Sequence, residues 1–517
     1  MYTKENSVQH TGAGTIETTA SLLPQINFEA MSPVTRRTFL KTSALAAGAG
    51  LASRLTSSVW AKPAGASDDV RIGIIGLRNK GGDHLKQLLD LPGARVVALC
   101  DLDPQILSRA VEGIKGRRVA PFATTEAREL LARPDVDAVV IATPNHWHAL
   151  LTLWACQAGK DVYVEKPMSH TVWEGRKVIE AARKYGRVVQ VGTQHRSDPG
   201  LLEASRYLRE GHCGKMLHVH AVYFNLRKDI GYRLPWYPDW LNYDMFCGPA
   251  PMAPLERASL HYDWHWTWAT GNGDLGNNGV HVLDMGLFFA GHQAPPRRII
   301  CLGGRYVVAD RAETPNSMLA VYDYPDVPFI FEHRGLPAKP GVDYMDQTRG
   351  VRFGIVVQCE GGYFAGMNGG AVYDNNDKVV ARFPGDGGAG HMPNFLGAVR
   401  SRRVGDLAAP ADVAHTAASL CHFGNISYRI GEAAGLGRVQ ESLEAVPVAG
   451  KYLEGLAKNL GANGVDLSRD PLRLGQWIQV EGDNIAQVES GSESGLECAR
   501  HLLRETHRPP YVIPEQV

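Results

Sequence analysis

The pattern of apolar and polar positions divides this chain into two parts that meet near residue 192. In the first part, short apolar runs rich in β-branched residues alternate with amphipathic stretches. This predicts strands beginning at Val70 and at 95–100, 138–142, 161–164 and 188–191, with helices at 83–91 and 104–113 among the connections. Strands that alternate with helices in this way are typical of a doubly wound parallel sheet of the Rossmann type.

Beyond residue 192 the strands are longer and alternate apolar with polar positions, at 216–224, 317–324 and 329–332. Helical spacing returns at 392–402 and 410–430. The pattern predicts a second α/β domain with a large open mixed or antiparallel sheet. We therefore expect a nucleotide-binding domain at 66–192, a substrate-binding domain at 193–450 and, at 451–517, a C-terminal extension packing on the surface.

The residues before the first strand have the pattern of an export signal. The stretch 35–41 reads Thr-Arg-Arg-Thr-Phe-Leu-Lys, and a weakly apolar Ala/Gly-rich run at 44–51 and a small-residue cleavage site at Ala61 follow it. The run is too short and too mild to span a bilayer. We expect 1–61 to be a twin-arginine signal region, the twin-arginine export machinery to be a partner, and the mature protein to be periplasmic or otherwise exported in folded form.

The composition of the chain limits the kinds of partner and ligand that we expect it to bind. The 54 basic and 54 acidic residues cancel, so no global field favours nucleic acid or a membrane surface. The eight cysteines are dispersed without a CxxC pair, and folding before export favours buried free thiols. His415, Cys421 and His422 stand at helical spacing without a convincing fourth ligand, so we expect no metal site.

A glycine-containing turn follows the first strand. Gly76, Leu77, Arg78 and Gly81 lie where backbone amides and a helix dipole would face a pyrophosphate. The middle glycine of the usual motif is replaced by Arg78. Either the backbone approaches the phosphates less closely or the guanidinium contacts them, and a tight turn without a ligand is the alternative.

Asp101 ends the second strand, 25 residues after Gly76. A carboxylate there can accept hydrogen bonds from both adenosine ribose hydroxyls and would repel a 2′-phosphate, which favours NAD over NADP. Arg78 leaves NADP open. Asp101 could instead cap the next helix, although Asp103 suits that role better because it directly precedes Pro104.

Two further motifs carry a family resemblance. Ala142-Thr143-Pro144-Asn145-His146-Trp147-His148 ends the third of these strands, and Glu165-Lys166-Pro167 follows the next. With these motifs, residues 68–440 resemble the Gfo/Idh/MocA oxidoreductases, which include glucose–fructose oxidoreductase and inositol dehydrogenase. The resemblance implies substrate bound between two domains against the nicotinamide. It also implies cofactor contacts from Thr143, Pro144, Asn145, His148, Glu165 and Gln194, although Asn145 could equally start a helix.

Lys166 is the first candidate catalytic residue. It lies just after the carboxyl end of a strand, where open parallel sheets place their ligands. An ammonium there can hydrogen-bond a reacting hydroxyl and stabilise negative charge developing on its oxygen. The alternative is a surface lysine paired with Glu165.

A second catalytic segment spans 276–284 and contains Asn277, Asn278, His281 and Asp284. The spacing puts 277, 281 and 284 on one helical face. His281 suits the base that takes the hydroxyl proton. In inositol dehydrogenase, a member of the family, the position of Asn277 would hold an aspartate, so proton transfer falls on His281 with help from Asp284 or Lys166. A core histidine is the alternative reading.

Substrate contacts are predicted from His195, Asn278 and an aromatic-rich stretch at 232–268. The alternation Tyr262-x-Trp264-x-Trp266-x-Trp268 predicts an extended segment with one apolar face. Trp266 is our candidate for stacking on a sugar ring. A core or subunit contact explains the same pattern equally well.

These observations favour an exported enzyme that transfers hydride between a tightly bound NAD and a hydroxyl or ketone carbon of a sugar or cyclitol. Two alternatives remain: a glycosidase that works by transient oxidation and elimination, and a non-catalytic sugar- or cofactor-binding protein. We expect a homo-oligomer that binds no nucleic acid and does not insert into membranes.

Overall fold

The structure is a computed structural model, and it describes residues 69–117, 120–489 and 491–517. The predicted signal region at 1–61 lies outside these residues. Among the described helices, none combines the length and the apolar character needed to cross a membrane.

The first sheet follows the N-terminal half of the predicted pattern. In the described residues it has six strands in the order β3-β2-β1-β4-β5-β6, all paired in parallel. The strands are β1 Val70–Ile75, β2 Ala94–Cys100, β3 Phe122–Thr124, β4 Ala138–Ile141, β5 Asp161–Val164 and β6 Val189–Val191. The helices are α1 Lys80–Asp90, α2 Pro104–Gly113, α3 Ala127–Leu131, α4 Asn145–Gln157 and α5 Val172–Tyr185. The doubly wound sheet is confirmed.

Local signals explain where these helices begin and end. Asp103 caps α2 by accepting hydrogen bonds from the N–H groups of Gln105 and Ile106, and Pro104 supplies the first helical residue. Asp103, rather than Asp101, therefore takes the cap, which leaves Asp101 available to the ligand crevice. Chain order reverses between β1 and β4, and ligands bind at such a reversal in open α/β sheets.

The second sheet is mixed, as the sequence predicts. Its order is β14-β13-β12-β11-β7-β10-β9-β8-β16-β15, and β17 pairs with β8 and with β18. The strands are β7 Met216–Phe224, β8 Arg298–Gly304, β9 Ser317–Tyr322, β10 Phe329–Arg334, β11 Phe353–Cys359, β12 Gly362–Met367, β13 Gly369–Asp374, β14 Val379–Pro384, β15 Glu432–Ala434, β16 Leu472–Leu474, β17 Ile478–Glu481 and β18 Asn484–Val488. Only β7 and β10 pair in parallel along the described path.

Helices accompany this sheet at α6 Pro199–Arg209, α7 Tyr243–Cys247, α8 Val280–Ala290, α9 His391–Ser401, α10 Ala411–Arg429, α11 Leu436–Leu443, α12 Val448–Ala462 and α13 Glu493–Leu502. Short 3₁₀ turns lie at Gln194–Ser197, Asp263–Trp266 and Val404–Asp406, and a π turn at Leu275–Gly279 precedes α8. Helices α9 and α10 pack back into the core of the first domain, for example through Phe395 and Ala414. The boundary near residue 192 therefore separates the two sheets, but helices from beyond it contribute to the hydrophobic core of the first domain.

The C-terminal extension needs a correction. We expected 451–517 to pack on the surface, but β16 joins the large sheet, and Tyr511 and Ile513 are only 5% and 2% exposed within the core of the nucleotide domain. This stretch is not confined to the surface because it contains apolar residues, which are buried in the cores of both domains.

All eight cysteines lie in the described residues and all are free. Only Cys498 is exposed.

Candidate active site

A cavity of about 450 Å³ opens at the carboxyl ends of β1, β2, β4 and β5. Both domains line it. The turn after β1 and the ends of β2, β4 and β5 form one side, and the π turn with α8, β11 and the segment 261–265 form the other. We call this the central cavity.

The turn after β1 has the geometry of a phosphate cradle. Gly76 has a φ of +86°, and a Cβ added there would lie 2.6 Å from the carbonyl oxygen of Ala142. A Cβ on Gly81 would lie 1.9 Å from the carbonyl oxygen of Gly76, so this position also requires glycine. Arg78 is exposed and lines the cavity, whereas the Leu77 side chain is buried in the core.

Asp101 closes the other side of this cradle. Its Oδ2 accepts the N–H of Leu77 at 2.8 Å and its Oδ1 the N–H of Asp103 at 2.9 Å. A carboxylate has about four acceptor sites, so capacity for ribose hydroxyls remains. Burial, opposed by these two N–H groups, raises the pKa of Asp101 to about 6. The glycine cradle and the carboxylate together fit a dinucleotide.

The loops after β4 and β5 are tied to each other by buried side chains. His148 lies between the carbonyl oxygens of Pro167, at 2.6 Å, and Thr143, at 2.8 Å. A neutral imidazole can donate only one of these bonds. Asn145 does not cap its helix but donates to Asn272 Oδ1 at 2.9 Å. Thr143, Pro144, Asn145 and His148 all line the cavity.

Glu165 is a buried anion. Although burial opposes ionisation, the hydrogen bond from His84 at 2.8 Å and the nearby charges of His84, Lys80 and Lys166 lower its pKa to about 2. Its Oε2 also accepts the backbone N–H of Lys166 at 3.2 Å. Glu165 therefore fixes the backbone that carries Lys166, and it does not pair with the ammonium as a surface salt bridge.

The Lys166 ammonium points into the cavity. Its Nζ donates to the carbonyl oxygen of Asn277 at 2.5 Å and lies 3.3 Å from Asn277 Oδ1. Burial lowers the pKa of Lys166, and Glu165 partly offsets that effect. An ammonium has three N–H donors, so at least one is left for a hydroxyl.

His281 and His195 face each other beside this ammonium, with ring centroids 5.2 Å apart at 84°. Within the described residues, Nδ1 of each ring is buried without a hydrogen-bond partner. Burial, followed by the charges of Lys166 and His195, places the pKa of His281 well below its usual value. Burial also lowers the pKa of His195 to about 4. Both imidazoles are therefore neutral at pH 7 and can accept a proton.

Asp284 does not join this cluster. It is buried, and both of its carboxylate oxygens accept from Arg196 Nε at 2.8 Å. It is not among the residues that line the cavity. The predicted helical face therefore reaches from Asn277 to His281 only, since Asp284 instead anchors the arginine that follows His195.

Comparison with known proteins identifies the first domain. The model described as "Oxidoreductase family, NAD-binding Rossmann fold" (GFO_IDH_MocA) matches residues 70–193. This domain belongs to the Gfo/Idh/MocA oxidoreductases. Its cofactor is NAD.

Curated relatives share part of the chain. It is 32% identical over 209 residues to a "Glycosyl hydrolase family 109 protein" of Shewanella pealeana, and the matched region covers 37% of this chain and 46% of that protein. It is 32% identical over 219 residues to an "Alpha-N-acetylgalactosaminidase" of Shewanella oneidensis, covering 38% and 47%. The chain spans about half the length of the curated relatives it matches.

Solved structures share the fold. One is an aldose-aldose oxidoreductase from Caulobacter crescentus, with a TM-score of 0.51 at 17% identity, covering 74% of this chain and 98% of that one. Another is the WlbA dehydrogenase from Bordetella pertussis, with a TM-score of 0.51 at 18% identity, covering 69% and 95%. The two-domain fold of this chain is therefore shared with these structures.

The aromatic segment of this chain differs from its prediction. Asp263–Trp266 is a 3₁₀ turn and not an extended segment, so the aromatic residues do not share one face. Trp266 is 5% exposed beneath the guanidinium of Arg227, at 4.6 Å, and does not line the cavity. Trp264 lines it instead, with Asn278 and Gln194.

Sequence reasoning did not name His265 and named Tyr262 only as a member of the aromatic stretch, yet both line the cavity. Tyr262 has a φ of 68°, a left-handed conformation that is costly for this residue type. Its carbonyl oxygen lies 2.6 Å from His265 Nδ1. Burial lowers the pKa of His265 to about 3. The dense aromatic composition of 232–268 pointed to this stretch but not to these two ionisable groups.

Proposed function

We propose that this protein is an exported NAD-dependent enzyme that oxidises a secondary hydroxyl carbon of a sugar or cyclitol. One observation carries the proposal: in the cavity that holds the dinucleotide cradle, two neutral histidines with buried nitrogens that are unpartnered within the described residues lie beside the Lys166 ammonium. A plain binding protein gains nothing from burying such groups without partners, since each costs about 1–3 kcal/mol.

The protein's own residues supply the proton chemistry. Lys166, held by the Asn277 carbonyl oxygen, donates a hydrogen bond to the substrate hydroxyl and stabilises negative charge on its oxygen. His281 takes the hydroxyl proton, and His195 is close enough to orient the same hydroxyl. A dinucleotide held at the cradle of Gly76, Gly81 and Asp101 would supply the acceptor for the hydride.

A second candidate is hydrolysis of a glycoside by transient oxidation, elimination and reversal of the oxidation. Two observations favour it. The curated relatives carry glycosidase names. The cavity also holds Tyr262 and His265 beyond the groups that oxidation alone requires. Elimination needs an additional base for a carbon-bound proton and an acid for the leaving oxygen, and these two side chains could fill those roles.

One assay separates the candidates. The purified protein is incubated with free sugars and with aryl glycosides, while phenol release and nicotinamide absorbance near 340 nm are followed. An oxidoreductase gives stoichiometric absorbance with a free sugar, whereas a glycosidase releases phenol over many turnovers without net absorbance. Silence in both channels across a broad panel, with NAD bound, would favour the sugar-binding alternative and overturn the enzyme assignment.

Export is tested separately by fractionation. Because the twin-arginine pair at 36 and 37 precedes the apolar run, we expect the wild-type protein in the periplasm with its dinucleotide. Changing both arginines to lysine should leave the precursor in the cytoplasm. Periplasmic material that is empty and cannot be charged with NAD would contradict the proposal.

A further inference from the structure

The stretch 505–517 contributes a wall to the central cavity. Tyr511 lines the cavity and is 5% exposed. Its ring meets Trp147 edge-on, with centroids 5.3 Å apart at 73°, and its hydroxyl donates to Asp244 Oδ2 at 3.1 Å. An aromatic ring with its polar atom satisfied is suited to a permanent wall.

The contacts of Trp147 locate this wall along the cavity. Trp147 packs against Trp154 at 5.8 Å, and the guanidinium of Arg128 lies 5.8 Å from the Trp154 ring. Arg128 is in α3, which follows β3, and β3 is the neighbour of β2, whose end carries Asp101. Tyr511 therefore stands at the adenosine end of the cavity, and Lys166 follows β5 at the other end.

Anchors on both sides hold the stretch across this end. Arg508 donates from its guanidinium to Asp244 Oδ1 at 2.5 Å and to the Asp244 carbonyl oxygen at 2.7 Å, and Asp244 lies in α7. On the opposite side, His507 Nε2 lies 2.8 Å from Oε1 of Glu174 in α5. The stretch thus joins the nucleotide domain to the loop that carries α7.

We propose that Tyr511, held in place by the anchors on its stretch, is part of the dinucleotide site and closes its adenosine end. This inference rests on the NAD-dependent function proposed above. Release of the adenosine half then requires Tyr511 to leave Trp147 and Asp244, so the cofactor dissociates slowly and stays with the protein.

The first test measures dinucleotide release. The wild-type protein and its variants are loaded with 1,N⁶-etheno-NAD and chased with excess NAD, and the release rate is read by fluorescence. We expect Tyr511→Ala to release at least about tenfold faster, while Tyr511→Phe, which keeps the ring, stays within about threefold. Val512→Ala is the matched control, because Val512 is 46% exposed on the same stretch. An unchanged release rate in folded Tyr511→Ala would overturn the proposal.

A second measurement avoids any folding defect of the variant. Hydrogen exchange of the wild-type apoprotein is measured alone, with ADP added and with nicotinamide mononucleotide added. We expect ADP to slow exchange at 508–513 and nicotinamide mononucleotide to leave it unchanged. Equal protection by both ligands, or by neither, would overturn the assignment. Failure of the catalytic proposal would look different, since NAD would bind with this protection but no sugar would react.

Discussion

The two ends of the central cavity differ in whether their polar atoms have hydrogen-bond partners in the protein. At the end after β5, the Lys166 ammonium has an N–H left for a ligand, and among the described residues His195 and His281 each have a buried ring nitrogen without a hydrogen-bond partner. At the end after β2, Asp101 and Tyr511 have their polar atoms bonded to neighbouring groups. The difference matches the proposed function, so we call the first the reactive end and the second the holding end.

Neighbouring elements produce this difference. The reactive end lies where a π turn aims the Asn277 carbonyl oxygen at Lys166 and two histidines are buried together. Burial removes the water that would otherwise hydrogen-bond to the rings and stabilise their protonated forms. The holding end instead surrounds its groups with backbone N–H groups and tryptophans, which fix positions without leaving reactive atoms free.

The largest expected effect comes from removing the ammonium. Lys166→Ala should reduce kcat by about 10³-fold, because one preorganised donor to a developing oxyanion is worth roughly that much. Dinucleotide content should stay normal, since the cradle lies at Gly76 and Asp101. Mass spectrometry under native conditions and steady-state kinetics check both. A rate near that of the wild-type protein would remove Lys166 from the chemistry.

Loss of the base should cost somewhat less. His281→Asn should lower kcat by about 10²-fold or more, the usual contribution of a positioned base. Since burial lowers the pKa of His281, the imidazole stays neutral as pH falls from 8 to 6. The rate should therefore not drop near pH 6.5, where an ordinary histidine would begin to protonate. A rate limb centred near 6.5 that His281→Asn abolishes would contradict this environment.

The sequence predicted the holding end better than the reactive end. Gly76, Gly81 and Asp101 are readable because a parallel sheet places consecutive strand ends together and because the turn leaves no space for side chains. Motif and spacing predicted Lys166 and His281 as catalytic candidates. The contact between Lys166 and the Asn277 carbonyl oxygen could be seen only in the tertiary fold, because the two residues lie far apart in the sequence.

What the sequence missed depended on local geometry. A period of two predicted an extended aromatic segment, but a 3₁₀ turn at Asp263–Trp266 turns Trp264 toward the cavity and buries Trp266. The spacing of Asp284 placed it on the same helical face as His281, yet its carboxylate accepts hydrogen bonds from Arg196 instead. Tyr511 lies more than three hundred residues from Trp147, so no local pattern could join them.

The holding end should show its own pH dependence. Burial raises the pKa of Asp101 to about 6, so the carboxyl is ionised at pH 8 and protonated below about 6. The protonated form is the weaker acceptor, and NAD should therefore bind about tenfold more weakly at pH 5 than at pH 8. Asp101→Asn should bind weakly at both pH values and lose this dependence. Calorimetric titration of apoprotein measures it, and a pH-independent Kd in the wild-type protein would contradict the assignment.

The smallest effect tests which tryptophan meets the substrate. Trp264 lines the cavity and Trp266 does not, so Trp264→Phe should raise KM by about two- to fivefold with little change in kcat, because a smaller ring loses part of its stacking area. Trp266→Phe should leave KM unchanged and lower the melting temperature instead, since its ring packs under Arg227. The opposite result, a raised KM for Trp266→Phe and an unchanged KM for Trp264→Phe, would mean that the substrate contacts Trp266. The cavity would then have to be wider at the reactive end than it is in the structure.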